Sequence, residues 1–255
     1  MKGKVVMITG AGRGMGRDVA EAFVRAGAKV MIAARTESYG RQALEELSAE
    51  GSVALTLGDV CHKSDIERTV AETVGTFGGL DVVVHCAADV PSAPLLEISD
   101  EEIERTLGTI IKASIWLIQA ATPQMVKRGG GRIILFSSIC GPKLAIPGLG
   151  VYGAAKSGVN ALIENAALEL ARHRITVNGI EPGLTDTDNV RRSLTPAEQA
   201  GMATKIPLGR IGATRDIANG VLFLASEASA YLTGATIRID GGLSLHSAGF
   251  PLPPA

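Results

Sequence analysis

The chain has 255 residues, 46% of them hydrophobic, with 25 Lys and Arg against 26 Asp and Glu. That is apolar material for one large core, and a balanced charge with no long basic run excludes a phosphate-neutralising nucleic-acid footprint. Three scattered cysteines (Cys61, Cys86, Cys140) and four scattered histidines (His62, His85, His173, His246) exclude a disulfide framework and zinc-ligand spacing.

In chain order, KVVMIT at 4–9 reads as a first strand and 14–26 carries helical spacing. Strand patterns follow at 28–34, 53–57, 80–87, 132–137, 175–180 and 236–240, and helical patterns at 37–50, 63–77, 100–128, 152–173 and 214–226. The strand runs are apolar throughout rather than alternating, which suits a parallel sheet covered on both faces. Strand–helix alternation of this kind predicts an α/β, doubly wound sheet with right-handed crossovers. No linker and no repeat divides the chain, so one domain over 1–255 is expected. Residues 184–208 fit the alternation least and read as a loop or short helices. The Pro-rich end, within 243–255, reads as a tail that is either loose or laid on a neighbour. No run nears the 18 apolar residues of a membrane span. The N-terminal apolar run is short and broken by glycine, unlike a signal-peptide core, so a cytoplasmic protein is expected.

ITGAGRGMGRDVAEAF runs from the first strand into the first helix with Gly10, Gly12, Gly14 and Gly16 in the turn. Residues without a Cβ let backbone N–H groups approach a pyrophosphate, and the helix N-terminus adds partial positive charge. The alternative is a tight turn without a ligand; its place at the first strand of an alternating chain favours a dinucleotide. An acid usually holds the ribose 2′-hydroxyl at the end of the second strand. Here that place reads Ala34-Arg35, with Arg13 inside the turn, and two guanidinium groups without a carboxylate point to a 2′-phosphate and NADP(H).

VYGAAKSG at 151–158 places Tyr152 and Lys156 one turn apart on a shared helix face. A phenol titrates near pH 10, and bringing it to about 7 takes roughly 4 kcal/mol. One cation about 4 Å away at an effective dielectric near 20 supplies approximately that. A lysine one turn along can therefore make the tyrosine a proton shuttle beside a nicotinamide. Such pairs are common and mostly structural, but Ser137 and Ser138 stand at a strand C-terminus, where ligands meet open α/β sheets and a hydroxyl can donate to a carbonyl.

With these motifs the chain resembles the short-chain dehydrogenase/reductase family, classical type, over nearly its full length. The resemblance is carried by Thr9-Gly10-x-x-x-Gly14-x-Gly16, Asp59-Val60, Ser138, Tyr152-x-x-x-Lys156, NGIEPGLTDT at 178–187 and the stretch 207–242. It implies a single Rossmann-type domain with a seven-stranded parallel sheet, 184–208 as substrate loop, and hydride transfer between NADP(H) and a ketone or secondary alcohol. It further implies that Gly10, Arg13, Gly14, Met15 and Gly16 hold the phosphates, Arg35 the adenosine ribose, and Asp59 and Val60 the adenine. Pro182, Gly183, Thr185 and Thr187 would sit by the carboxamide, and Cys86 is grouped with the cofactor-binding residues. Ser138 would orient the substrate oxygen, Tyr152 would pass the proton, and Lys156 would hold the nicotinamide ribose. No metal is expected. Apolar residues around more than one stripe of the helix at 152–173 suggest a subunit contact, and the resemblance implies a homotetramer or dimer.

The chain departs from the family at two places. Where the family carries Asn-Asn-Ala-Gly it reads His85-Cys86-Ala87-Ala88, and the usual catalytic asparagine falls on Ile110. Isoleucine cannot hold the proton-relay water, so either Ser114 or Thr109 compensates, or backbone carbonyls hold the water, or turnover is weak. The last case is a nucleotide-binding regulator or scaffold. His85 either contacts substrate or is bonded to backbone. Ser138 and Tyr152 are one residue further apart than is usual, and residues 143–150 and 184–208 are expected to shape an apolar substrate pocket.

Overall fold

The structure, a computed structural model, describes residues 1–245; His246 and the rest of the expected tail lie outside the described residues. Seven strands form one sheet: β1 (Val5–Thr9), β2 (Lys29–Ala34), β3 (Val53–Leu57), β4 (Val82–His85), β5 (Gly131–Phe136), β6 (Ile175–Pro182) and, at its far edge, Thr236–Ile239. Every neighbouring pair is parallel, in the order β3-β2-β1-β4-β5-β6 and then Thr236–Ile239.

The run VVMIT is buried along its whole length, and its pleat explains why no polar position interrupts it. Val6 and Ile8 enter a core with Val19 and Phe23 of α1 (Gly14–Arg25) on one face of the sheet. Met7 points the other way, into a second core with Ile66, Leu117 and Ile163. Those three belong to the helices Lys63–Phe77, Ala113–Lys127 and Gly150–Leu170. Numbered in order, α2 is Glu37–Ser48, α3 Lys63–Phe77, α4 Asp100–Leu107, α5 Ala113–Lys127 and α6 Gly150–Leu170. β1 has β2 on one side and β4 on the other, so the winding reverses there and a crevice opens beyond the C-terminal strand ends.

The helix expected over 100–128 is broken. A capping box of Ser99 and Glu102 starts α4, and a π turn over Gly108–Lys112 separates it from α5. The segment 184–208 folds as a two-residue strand β7 (Thr185–Asp186) and short helices α7 (Asp188–Ser193) and α8 (Pro196–Ala203). β7 pairs with β8 (Gly212–Ala213), which leads into α9 (Thr214–Ala225); the sheet's edge strand Thr236–Ile239 is β9. Among the described residues no helix is long and apolar enough to cross a membrane.

Candidate active site

The crevice beyond β1 and β4 has a volume of about 330 Å³. At one end the turn between β1 and α1 is shaped by what glycine omits. A Cβ on Gly16 would lie 2.3 Å from the Gly10 carbonyl oxygen, and one on Gly10 2.8 Å from Ala87. Gly14 has φ 57°, a left-handed conformation that side chains rarely adopt, and faces open space. The α1 N-terminus has no side-chain cap and no acid in its first turn. Its free N–H groups thus face the crevice without a protein anion to satisfy them, which fits a dinucleotide phosphate.

The expected residues Gly10, Arg13, Gly14, Met15 and Gly16 line this end, with Arg35, Asp59 and Val60 beside them. Cys86, Ser138, Tyr152, Lys156, Pro182, Gly183 and Thr187 line the rest. Thr185 is not on the wall. It is buried, and its hydroxyl donates to the Gly183 carbonyl at 3.1 Å. Residues 143–150 are not on the wall either, and of 184–208 only Thr187 and Asp188 are. The loop 141–149 is instead folded on itself by a bridge between Cys140 and Leu144, and Gly141 abuts Gly153 of α6.

Ser138, Tyr152 and Lys156 meet at the other end. The two adjacent serines separate in role: the Ser137 hydroxyl is buried and donates to the Lys156 main-chain carbonyl, while Ser138 lines the crevice beside Tyr152 and its hydroxyl accepts from the Cys140 amide at 3.0 Å. The Lys156 ammonium lies 5.6 Å from the Tyr152 ring centroid and donates to the Phe136 carbonyl at 2.5 Å. Burial pushes Lys156 down to about 8 and Tyr152 up to about 12, the latter opposed by the Ser138 hydroxyl. The expected lowering of the phenol by lysine is therefore not found between these two side chains. Desolvation governs the phenol, and the short hydrogen bond of the ammonium goes to a backbone carbonyl.

The end of the crevice lined by Arg35, Asp59 and Asp89 carries more charge than the sequence reading assigned. Arg35 does not stand without a carboxylate: its Nη1 is 3.7 Å from Asp89 and 3.9 Å from Asp59. Arg105 of α4 contacts the same Asp89 oxygen through Nε and lies 3.4 Å from Asp59. Arg13 stacks on the Tyr39 ring at 4.8 Å. Tyr39 is pulled below its usual value by a hydrogen bond to Arg192, and then by the charge on Arg13. Asp89, Arg105, Tyr39 and Arg192 escaped the sequence reading. For Asp89 a signal existed, since it follows the fourth strand at the level where Arg35 and Asp59 follow the second and third.

A family model described as enoyl-(acyl carrier protein) reductase matches residues 10–244. An uncharacterized oxidoreductase of Thermotoga maritima is 37% identical over 247 residues, covering 94% of this chain and 97% of its own. The 3-oxoacyl-(acyl-carrier-protein) reductase of Escherichia coli K12 is 35% identical over 242 residues, covering 95% and 98%. The chain is a short-chain dehydrogenase/reductase. A solved member of this family from Mycobacterium ulcerans superposes with TM-score 0.90 at 33% identity, covering 96% of this chain and 91% of that one. A 7α-hydroxysteroid dehydrogenase, solved with NADH and 7-oxo glycochenodeoxycholic acid, also gives 0.90, at 28% identity and 94% coverage of both chains. The seven-stranded parallel sheet is the family's fold.

Within this oxidoreductase the two departures have structural answers. Ile110 is buried in the second core. The Ser114 hydroxyl donates to the Ile110 carbonyl at 2.6 Å, an i−4 back-bond from α5 into the π turn. Thr109 directs its hydroxyl to the Arg105 and Thr106 carbonyls. Neither hydroxyl bonds Lys156, and the ammonium donates directly to the Phe136 carbonyl. His85 is backbone-bonded. Its Nε2 lies 3.0 Å from the Thr109 carbonyl, which can only accept, so Nε2 carries the proton and Nδ1 accepts from the Thr9 hydroxyl at 2.7 Å. Burial, and next the Lys156 charge, push His85 down to about 3. Burial holds Cys86 up at about 12 and Cys61 at about 11, both as inert thiols.

Proposed function

We propose that this oxidoreductase interconverts a ketone and a secondary alcohol with NADP(H). The observation that carries the reading is the convergence of Ser138, Tyr152 and Lys156 on one wall of a crevice whose far end is an uncapped helix N-terminus flanked by Arg13 and Arg35. Gly10, Gly14, Gly16 and the α1 amides would hold the pyrophosphate, Arg13 and Arg35 a 2′-phosphate, and Lys156 the nicotinamide ribose. The bound nicotinamide supplies or accepts the hydride. Ser138 would donate a hydrogen bond to the substrate oxygen. The Tyr152 phenol, fully protonated at neutral pH with a value about 12, would pass its proton to that oxygen during reduction. Lys156 would support that transfer as an ammonium beside the phenol ring.

Two relatives support the carbonyl assignment by name, one a 3-oxoacyl reductase and one solved with a 7-oxo bile acid. We further propose a homo-oligomer formed through α6. The test is NADPH oxidation across a panel of ketones, comparing the natural sequence with Tyr152→Phe. Loss of the phenolic proton is expected to lower kcat by 10²- to 10⁴-fold, the range for a positioned acid; equal rates in both proteins remove Tyr152 from the mechanism. Ile110 favours the rival reading, a regulator that binds nucleotide without turnover. NADPH binding with no hydride transfer to any ketone would select it.

A further inference from the structure

Four charged side chains from four separate elements meet at the adenosine end of the crevice. Arg35 follows β2, Asp59 follows β3, Asp89 follows β4, and Arg105 projects from α4. The contact between Arg35 and Asp89, 3.7 Å, joins the β2 wall to the β4 wall across the mouth. Asp89 is not a free surface acid. Its backbone amide donates to the Thr109 hydroxyl at 3.2 Å, and Thr109 is fixed in turn by His85 through its carbonyl. Its carboxylate also binds Arg105, which is held at its other end by Asp59. The acid is therefore presented to Arg35 by a built support that runs back to the sheet.

We propose that Asp89 is a cofactor-specificity residue: it occupies the Arg35 guanidinium and competes with a 2′-phosphate for it. This rests on the reading of Arg35 as the adenosine-ribose residue. A phosphate offers Arg35 paired acceptors and about two negative charges, so on binding NADPH the guanidinium exchanges Asp89 and Asp59 for the phosphate. The Asp89 carboxylate then stays nearby as a like charge. NADH brings no phosphate, leaves the ring of charges closed and meets no such repulsion. Asp89 thus narrows the preference that Arg13 and Arg35 would otherwise set, and removing its charge widens it. The pairs are half exposed, so the effect is modest and screened by salt.

The test is fluorescence titration of NADPH and NADH onto the full chain, with no substrate needed. Asp89→Asn keeps the backbone amide bond to Thr109 and removes the charge. It is expected to tighten NADPH by about three- to tenfold at low salt, with NADH changed less than about twofold. Asp89→Glu, which keeps the charge, should retain the natural ratio. In an Arg35→Gln background the Asp89→Asn effect should shrink, because the competition for Arg35 is gone and only the like-charge repulsion of the phosphate remains. An unchanged ratio, an equal shift for both nucleotides, or a shift undiminished without Arg35 overturns the proposal. Tighter binding of NADH than NADPH by the natural sequence overturns the NADP(H) reading alone, since the ratio shift in Asp89→Asn still decides the role of Asp89. Absence of saturable NADPH binding in both proteins overturns both.

Discussion

At the scale of single residues, Lys156 sets a pH limit. Its ammonium is buried, and desolvation brings its value from 10.5 down to about 8. A lowered lysine keeps its charge below that value and loses it as pH rises through it. Tyr152, held near 12 by burial, stays protonated across the same range and contributes no fall of its own there. Ketone reduction is therefore expected to be flat from about pH 6 to 7 and to decline as pH rises through about 8, as the ammonium beside the ring is discharged. A kcat/KM profile at saturating cofactor checks this, and a rate still rising between pH 8 and 10 would remove Lys156 charge from the rate-determining chemistry. Tyr152, Lys156 and Ser138 were legible in the sequence because helical spacing and a strand end suffice to bring them together. Their electrostatics were not. The opposing desolvation depends on how much of the chain closes over them, which residue spacing does not carry.

At the scale of elements, the strands were legible almost to the residue because doubly covered parallel strands read as mostly apolar runs, with buried Asn178 and Glu181 interrupting β6. The break between α4 and α5 was not legible. Apolar spacing runs on through Gly108–Lys112, and what opens the helix there is a tertiary partner: the Thr109 carbonyl is engaged by His85, 24 residues earlier. Gly108 permits the close approach, since a Cβ would stand 3.2 Å from the Cys61 sulfur. The tie demands a neutral imidazole, with Nε2 donating and Nδ1 accepting. His85 is neutral in the folded protein down to about pH 3, whereas an unfolded histidine gains a proton below about 6.5. Between those values the unfolded chain binds the extra proton, so stability falls as pH falls. From pH 7 to pH 4.5 this group alone removes about 3 kcal/mol. His85→Gln removes the titration while keeping a donor toward Thr109. Urea unfolding of both proteins at pH 7 and 4.5 should show the gap between natural sequence and variant shrinking by about that amount; an identical gap at both pH values contradicts a neutral imidazole at His85.

At the scale of the whole molecule, α6 has two faces with different tasks. Ala155, Val159, Ile163 and Ala167 are buried, the inner stripe of a helix packed on its sheet. On the other side Ala154, Ala161 and Leu168 are exposed at seven-residue intervals, and Leu168 shows 82% of its surface. A solvated helix back should be polar, and this one sets Ala154, Ala161 and Leu168 in line beside the exposed Glu164 and Asn165, small and apolar positions that suit close approach of a second helix. If the partner is a second copy related by a two-fold axis, each residue near the axis meets its own counterpart. Ala161 sits at the middle of the stripe, so Ala161→Glu would set two carboxylates against each other while leaving the buried face of α6 untouched. Light scattering is expected to give more than the 26.4 kDa of one chain for the natural sequence and a shift toward that mass for the variant. A natural protein that stays at one chain mass at micromolar concentration would refute pairing through α6. The Ala161→Glu variant should leave nucleotide binding intact, because Ala161 is not among the residues that line the crevice.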